Sequence, residues 1–245
     1  MEHHEITHLY KYRAYNAHSL SILINRKVWF AKPDSLNDPF DCKIPFDHSL
    51  TPDEAVAYGR KTGVAEDKIN TILDSRGDVH SEFKKIWRET LIKADEELEN
   101  VGVFSLSEVN NNILMWSHYA DYHKGFCIEF VRNPNNQLGN YEMTRRVQYR
   151  PDYPIIIPIK DDVFDLKFFM KSSDWEYEQE WRLINDKGEG EESLPDVDMS
   201  TIIFGLRMPA SHKETIRKVT SDLTEIKYRH AVKVPDRFML EIKDL

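Results

Sequence analysis

Strand-like and helical segments take turns along this chain, which commits it to a mixed sheet-and-helix architecture. ITHLYKYR (6–13) alternates as a strand does, AHSLSILIN behind Asn16 reads as a short capped helix, and KVWFA (27–31) reads as a second strand. PDSLNDPFD (33–41) carries two prolines and an Asn37-Asp38 pair, the marks of an ordered turn-rich loop. Thr51, Pro52 and Glu54 then form a capping box, and charged helical patterns run to about Asn100. Strand-like sequence returns with VFSLS (103–107). NNILMWSHYADYHK predicts a helix stopped by Gly125, followed by the strand FCIEFV (126–131). RRVQYR (145–150) reads as a strand, VFDLKFFMK (163–171) as a short helix and WEYEQEWRLI (175–184) as a strand. The acidic NDKGEGEESLPD (185–196) reads as an exposed loop, and STIIFGL, a helix over Ser211–Asp222, EIKYRHA and FMLEIK complete the order. The expected fold is α+β, with a mixed, mostly antiparallel sheet core in one domain over 1–245 and a helical insertion at about 51–99.

A chain of 245 residues, 40% hydrophobic and 11% aromatic, can bury a substantial core. Its net charge of -9 argues against a surface devoted to nucleic acid, although Arg145, Arg146 and Arg150 form a local basic cluster. Cys42 and Cys127 are the two cysteines, so neither a disulfide framework nor a four-thiolate zinc site is expected. That composition predicts a reducing, cytoplasmic setting. MEHHEITHLYKYR lacks the apolar core of a secretory leader, and no run approaches the roughly 18 apolar residues of a membrane span, so no membrane partner is expected.

Several short motifs could carry chemistry. His4-Glu5-Ile6-Thr7-His8 matches HExxH, but zinc ligation by that pattern needs a helix, and these residues lead into a strand. In MWSHYADYHKG (115–125), helical spacing places Met115, Trp116, Tyr119 and Ala120 on one face, with His123 as a further candidate for it. Trp116, His118, Tyr119 and His123 offer stacking and hydrogen-bonding rings for a planar ligand, or else form ordinary core. Asp38 and Asp41 in NDPFD suit a turn; joined by Glu178 or Glu180 they would instead make a magnesium nuclease centre, though no lysine stands two residues after Glu180. As a strand, WEYEQEWR puts Glu176, Glu178, Glu180 and Arg182 on one side; the alternative is a helix, since Ser173 and Glu176 match a capping box. The ordinary reading is a solvated face with offset charges. The functional reading is a pair of carboxylates in one cleft, where proximity raises one pKa and lets the two take different roles.

LYKYR, VWFAKPDSLNDPFD, FSLSE, LMWSHYADYHKGFCIEF and YEQEWR occur in an order that resembles the bacterial domain-of-unknown-function family two-nine-seven-one, whose members are often found near phage-defence and toxin-like genes. A basic residue on the first strand, a serine on a middle strand and a Glu-x-Glu segment are also similar to the arginine, serine, glutamate pattern of ADP-ribosyltransferases. That similarity implies a cytosolic enzyme with NAD as substrate. Arg13 or Lys11 would bind its ribose or phosphate, Ser105 or Ser107 would support the site, and Tyr12, Trp116 or Tyr119 would stack on nicotinamide, with His118 and His123 nearby. Glu180 would be the main catalytic acid and Glu178 would stand near the acceptor, a protein or nucleic acid, with a regulatory partner protein as a further expectation. The alternatives are a metal-dependent nuclease and a non-catalytic ligand-sensing or partner-binding module.

Overall fold

The structure, a computed structural model, describes residues 3–140, 142–193, 199–223 and 225–245. In chain order the strands and helices are β1 (His8–Arg13), α1 (Ala17–Asn25), β2 (Lys27–Phe30), α2 (Pro52–Lys61), α3 (Glu66–Ile69), α4 (Ser81–Leu98), β3 (Gly102–Ser107), α5 (Ile113–Tyr119) and β4 (Phe126–Val131). They continue with β5 (Thr144–Arg146), β6 (Gln148–Arg150), α6 (Val163–Phe169), β7 (Met170–Ser172), β8 (Glu180–Asn185), β9 (Gly190–Ser193), β10 (Met199–Phe204), α7 (Ala210–Val219), β11 (Lys227–Lys233) and β12 (Leu240–Asp244). Eight strands form the main sheet in the order β12-β11-β10-β4-β1-β3-β8-β5. Only β10 and β11 within it run parallel, so the fold is α+β around a mixed, mostly antiparallel sheet, as expected.

Strand alternation divides the apolar residues between the two faces of the sheet. Leu9, Phe104, Leu106, Ile128, Trp181 and Leu183 join Ile22 and Leu23 of α1 and Ile216 of α7 in one core. Tyr12, Cys127, Ile203 and Ala231 meet Met115, Trp116 and Ala120, from α5 and the turn after it, in another. The region 51–99 is helical as expected. Its Ala55, Ile69, Ile72 and Val79 pack together, while Trp87 and Leu91 of α4 dock against Ile44, Phe46, Ile156 and Met170.

Local chemistry sets the helix ends. Asn16 accepts the Ser19 amide at 2.8 Å to start α1, and Thr51 and Glu54 make both bonds of the capping box on α2. Asn112 starts α5 by accepting the amides of Leu114 and Met115. That helix stops at Tyr119, short of Gly125, because Asp121, Tyr122 and His123 adopt left-handed backbone with φ of 46°, 51° and 70°. His123 therefore leaves the helix.

Three expected elements differ. WEYEQEWR is not one strand: Ser172 caps a 3₁₀ turn over Ser173–Glu178, Gln179 takes a left-handed φ of 43°, and only from Glu180 does the chain enter β8. RRVQYR is split at Val147 into β5, which joins the main sheet, and β6, which pairs in parallel with β7. Within NDKGEGEESLPD, β9 pairs antiparallel with β2 instead of lying free, and residues 194–196 fall outside the described residues. The main-chain partners offered by β2 explain this, because an unpaired edge is satisfied by any adjacent extended segment.

One irregularity of the sheet positions the site. β1 shares six registered pairs with β4, and β3 shares six with β8, but β1 and β3 share only Tyr10 with Ser107. The two halves of the sheet thus splay apart past that pair. Gly125 holds β1 from behind: a Cβ at this position would stand 2.1 Å from the Arg13 carbonyl oxygen and 3.0 Å from Ala120. We expect Gly125→Ala to cost about 1–3 kcal/mol, as overpacking typically does, measured as a lowered urea midpoint followed by circular dichroism.

Candidate functional site

The splay between β1 and β3 opens a cavity of about 290 Å³. Lys11, Tyr12 and Arg13 of β1, Ser105 and Ser107 of β3, Tyr119 of α5, and Glu178 and Glu180 all line it. Asn37 and Asp41, from the turn-rich loop, and Lys171 of β7 complete the wall. Where β3 is too far away to pair with β1, the Lys11 ammonium reaches across and donates to the Ser105 carbonyl at 2.5 Å. The lysine thus satisfies an acceptor that the ladder leaves open.

Beside the cavity lies a buried ionic cluster. Arg182, 0% exposed, binds Glu180 through two parallel N–H···O bonds of 2.8 and 2.9 Å and Asp41 through a third of 2.5 Å. Its remaining terminal nitrogen donates to the Phe168 carbonyl at 2.7 Å. Lys171 donates to Glu178 at 2.5 Å and Glu180 at 3.0 Å, and stands 3.5 Å from Asp41. Three carboxylates therefore face two cations, which leaves one negative charge in excess. The surrounding polar groups fix the acids: Ser107 donates to the Glu178 carbonyl at 2.6 Å, and the Glu180 amide donates to the Tyr149 hydroxyl at 2.8 Å. Tyr119 donates its hydroxyl proton to Glu178 and accepts from the Asn37 amide at 3.1 Å.

The two glutamates titrate in opposite directions although each is only 4% exposed. Burial opposes the charged form of Glu180, but Arg182 and Lys171 outweigh it and hold the carboxyl well below the usual range. Burial pushes Glu178 upward; Lys171 opposes that shift and the charge of Glu180 adds to it. Oppositely displaced carboxylates at one site suit different roles. Burial and then Arg13 push Lys11 down to about 7, with Glu180 and Glu178 too weak to restore it. Arg13 has its Nε buried, with no hydrogen-bond partner among the described residues.

Other candidates lie elsewhere. Trp116 is core: it is fully buried, donates to the Asn110 carbonyl at 2.8 Å, and packs edge-on to Tyr12. His118 meets the Tyr177 hydroxyl at 3.0 Å, and His123 meets Ser117 at 3.0 Å beside a separate hollow formed with Leu206 and Arg207. None of these three lines the cavity. Glu176 is exposed, but Glu178, Glu180 and Arg182 are buried, so the expectation of a solvated charged face is corrected. Asp38 accepts the Phe40 amide, as a turn residue does. His4 and His8 lie on no helix, and among the described residues no group of three or more His, Cys, Asp or Glu is placed to hold a metal ion. Asp41, Glu178 and Glu180 converge on the Lys171 ammonium, which stands where the expected nuclease cation would have to go.

Lys171, Asn37, Tyr149 and the pairing role of Asp41 were not anticipated. Lys171 carries one faint signal, a lysine closing the apolar run FFM (168–170), where an unpaired charge would be out of place. Because Arg182 neutralises two buried acids, we expect Arg182→Met to cost about 3–5 kcal/mol, the usual effect of breaking a buried pair. In urea unfolding, Asp41→Asn combined with Arg182→Met should cost less than the sum of the two single changes; strict additivity would contradict the coupling.

No helix among the described residues is long and apolar enough to cross a membrane. No curated protein and no solved structure matches the chain. Residues 115–183 match one family, and this stretch runs from α5 into β8, contributing Tyr119, Lys171, Glu178, Glu180 and Arg182 to the site, while Lys11, Arg13, Asp41, Ser105 and Ser107 come from outside it. Over that stretch the resemblance read from LMWSHYADYHKGFCIEF and YEQEWR is supported, since residues 115–183 match the model of the family described as protein of unknown function (DUF2971).

Proposed function

We propose that this protein is an ADP-ribosyltransferase-like enzyme that consumes NAD. The observation that carries the reading is the meeting of Lys11, Arg13, Ser105, Ser107, Tyr119, Glu178 and Glu180, drawn from distant parts of the chain, around one cavity. A volume of about 290 Å³ lies at the small end of ligand sites, roughly 300–1,000 Å³. It suits a ring-and-sugar fragment, with the rest of a dinucleotide left outside. The cavity's chemistry fits such a fragment: the Arg13 guanidinium and Lys11 suit phosphate or ribose oxygens, and the rings of Tyr12 and Tyr119 offer faces or edges to nicotinamide.

As substrate, NAD supplies a ribosyl carbon that becomes cationic as nicotinamide departs. Glu180, held ionised by Arg182 and Lys171, is a fixed negative charge suited to that development. Fixed orientation matters because a carboxylate already locked in place does not have to reorganise during reaction. Glu178 has the complementary property: its carboxyl is displaced upward and joined to Tyr119, so it can accept a proton from an incoming nucleophile. The acceptor would be a protein side chain or a nucleic-acid group, and a phage-defence or toxin effector is the setting that the family resemblance suggests.

The purified chain incubated with NAD should release free nicotinamide, read by chromatography. Glu180→Gln, which keeps the shape of the side chain, should reduce that rate by about 10²–10³-fold, the size expected on removing one electrostatic stabiliser. Circular dichroism should report a folded variant. Release at the unaltered rate would remove Glu180 from the mechanism, and no release by the unaltered chain would end the NAD reading.

A further inference from the structure

We infer that Lys11 is a nucleophilic amine that captures a small anionic carbonyl compound as an imine inside the β1/β3 cavity. This goes beyond the NAD reading and does not depend on it. Four features meet at one place. Lys11 is half-buried yet lines the cavity, so its amine is reachable from within it. Its one hydrogen bond to a described residue goes to a neutral acceptor, the Ser105 carbonyl, and not to a carboxylate. Its nitrogen lies over the Phe104 ring, 4.8 Å from the centroid. Arg13 stands two residues along the same strand, on the same side, and lines the same cavity, its Nε buried without a hydrogen-bond partner among the described residues.

Desolvation beside a second cation is how proteins make a lysine nucleophilic near neutral pH. Both conditions act on Lys11, and they bring it down to about 7, so a large share of the amine is neutral under ordinary conditions. The neutral amine keeps an N–H for the Ser105 carbonyl and has a lone pair to use. Arg13, which lines the same cavity, selects the ligand: its guanidinium would pair with a carboxylate or phosphate on the carbonyl compound.

The chemistry balances without any added redox partner. The Nζ lone pair attacks the carbonyl carbon, and the C=O π pair moves to oxygen, which takes a proton while the nitrogen gives one up. The resulting hydroxyl is protonated and leaves as water as the C=N bond forms, and the iminium nitrogen then returns its remaining proton, so amine and carbonyl become imine and water. Tyr119 and Glu178, hydrogen-bonded to each other on the same cavity, are the protic groups placed to carry those protons.

The whole chain would be incubated with pyruvate in one arm and ribose 5-phosphate in another, sodium cyanoborohydride added to reduce any imine, and the product read by intact mass and peptide mapping. One adduct mapped to Lys11 is expected. Pyruvate alone would assign a 2-oxo acid, ribose 5-phosphate alone a sugar-phosphate aldehyde, and both the shared chemistry of a carbonyl beside an anion. Labelling at Lys11 should rise to half its maximum near pH 7, far below an exposed lysine. Lys11→Arg should abolish the adduct, and Arg13→Gln should raise the concentration needed by about tenfold or more, as loss of a charged hydrogen bond does. No adduct in either arm, or labelling of other lysines with Lys11 untouched, would overturn the inference. Nicotinamide release is read separately, so either result can fail without the other.

Discussion

Arg182 stands fully buried between Asp41 and Glu180, and the arrangement of the site depends on it. A guanidinium in that position has no water to fall back on, so its donors must find protein acceptors or the fold loses several kcal/mol. Asp41, Glu180 and the Phe168 carbonyl supply them, from the turn-rich loop, β8 and α6. Packing alone could join those segments in more than one way. Bidentate ionic geometry allows few, so the cluster selects one placement of the loop against the sheet.

The same cluster explains why two adjacent glutamates differ. Glu180 receives both cations, whereas Glu178 shares only Lys171 and sits where the charge count is in excess. Their separation follows from backbone geometry. The left-handed turn at Gln179 interrupts the alternation that a continuous strand would impose, so Glu178 is delivered from the end of a 3₁₀ turn and Glu180 from the first position of β8. One residue in an unusual conformation therefore lets two acids reach one cluster by different routes.

Much of the fold was legible in the sequence because its signals are local. Asn16 and Thr51 cap helices where their side chains predict, and LYKYR, FCIEFV and STIIFGL mark strands of the main sheet. Lys11, Tyr12, Arg13, Ser105, Ser107, Tyr119, Glu178 and Glu180 were also legible as candidates, and all of them line the cavity. What local patterns do not encode is partnership across the chain. Nothing near Lys171 in sequence indicates that it would meet Asp41, about a hundred and thirty residues away, or that burial would turn an expected solvated face into an ionic cluster. Trp116 illustrates the converse: its helical position was legible, but whether it faces a ligand or the core is decided by the neighbours that close over it, here Tyr12.

The cavity exists because the sheet is imperfect, and the imperfection explains the state of Lys11. Had β1 and β3 stayed in register past Tyr10 and Ser107, the Ser105 carbonyl would be open to a backbone amide and no room would remain for a side-chain amine. Splaying leaves the carbonyl open, Lys11 fills the gap, and the lysine is thereby drawn out of water beside Arg13. An ammonium in that place is disfavoured twice, by desolvation and by a like charge, so the geometry that satisfies one backbone acceptor also lowers the pKa of the amine. The displaced lysine and the opening in the sheet are one structural event.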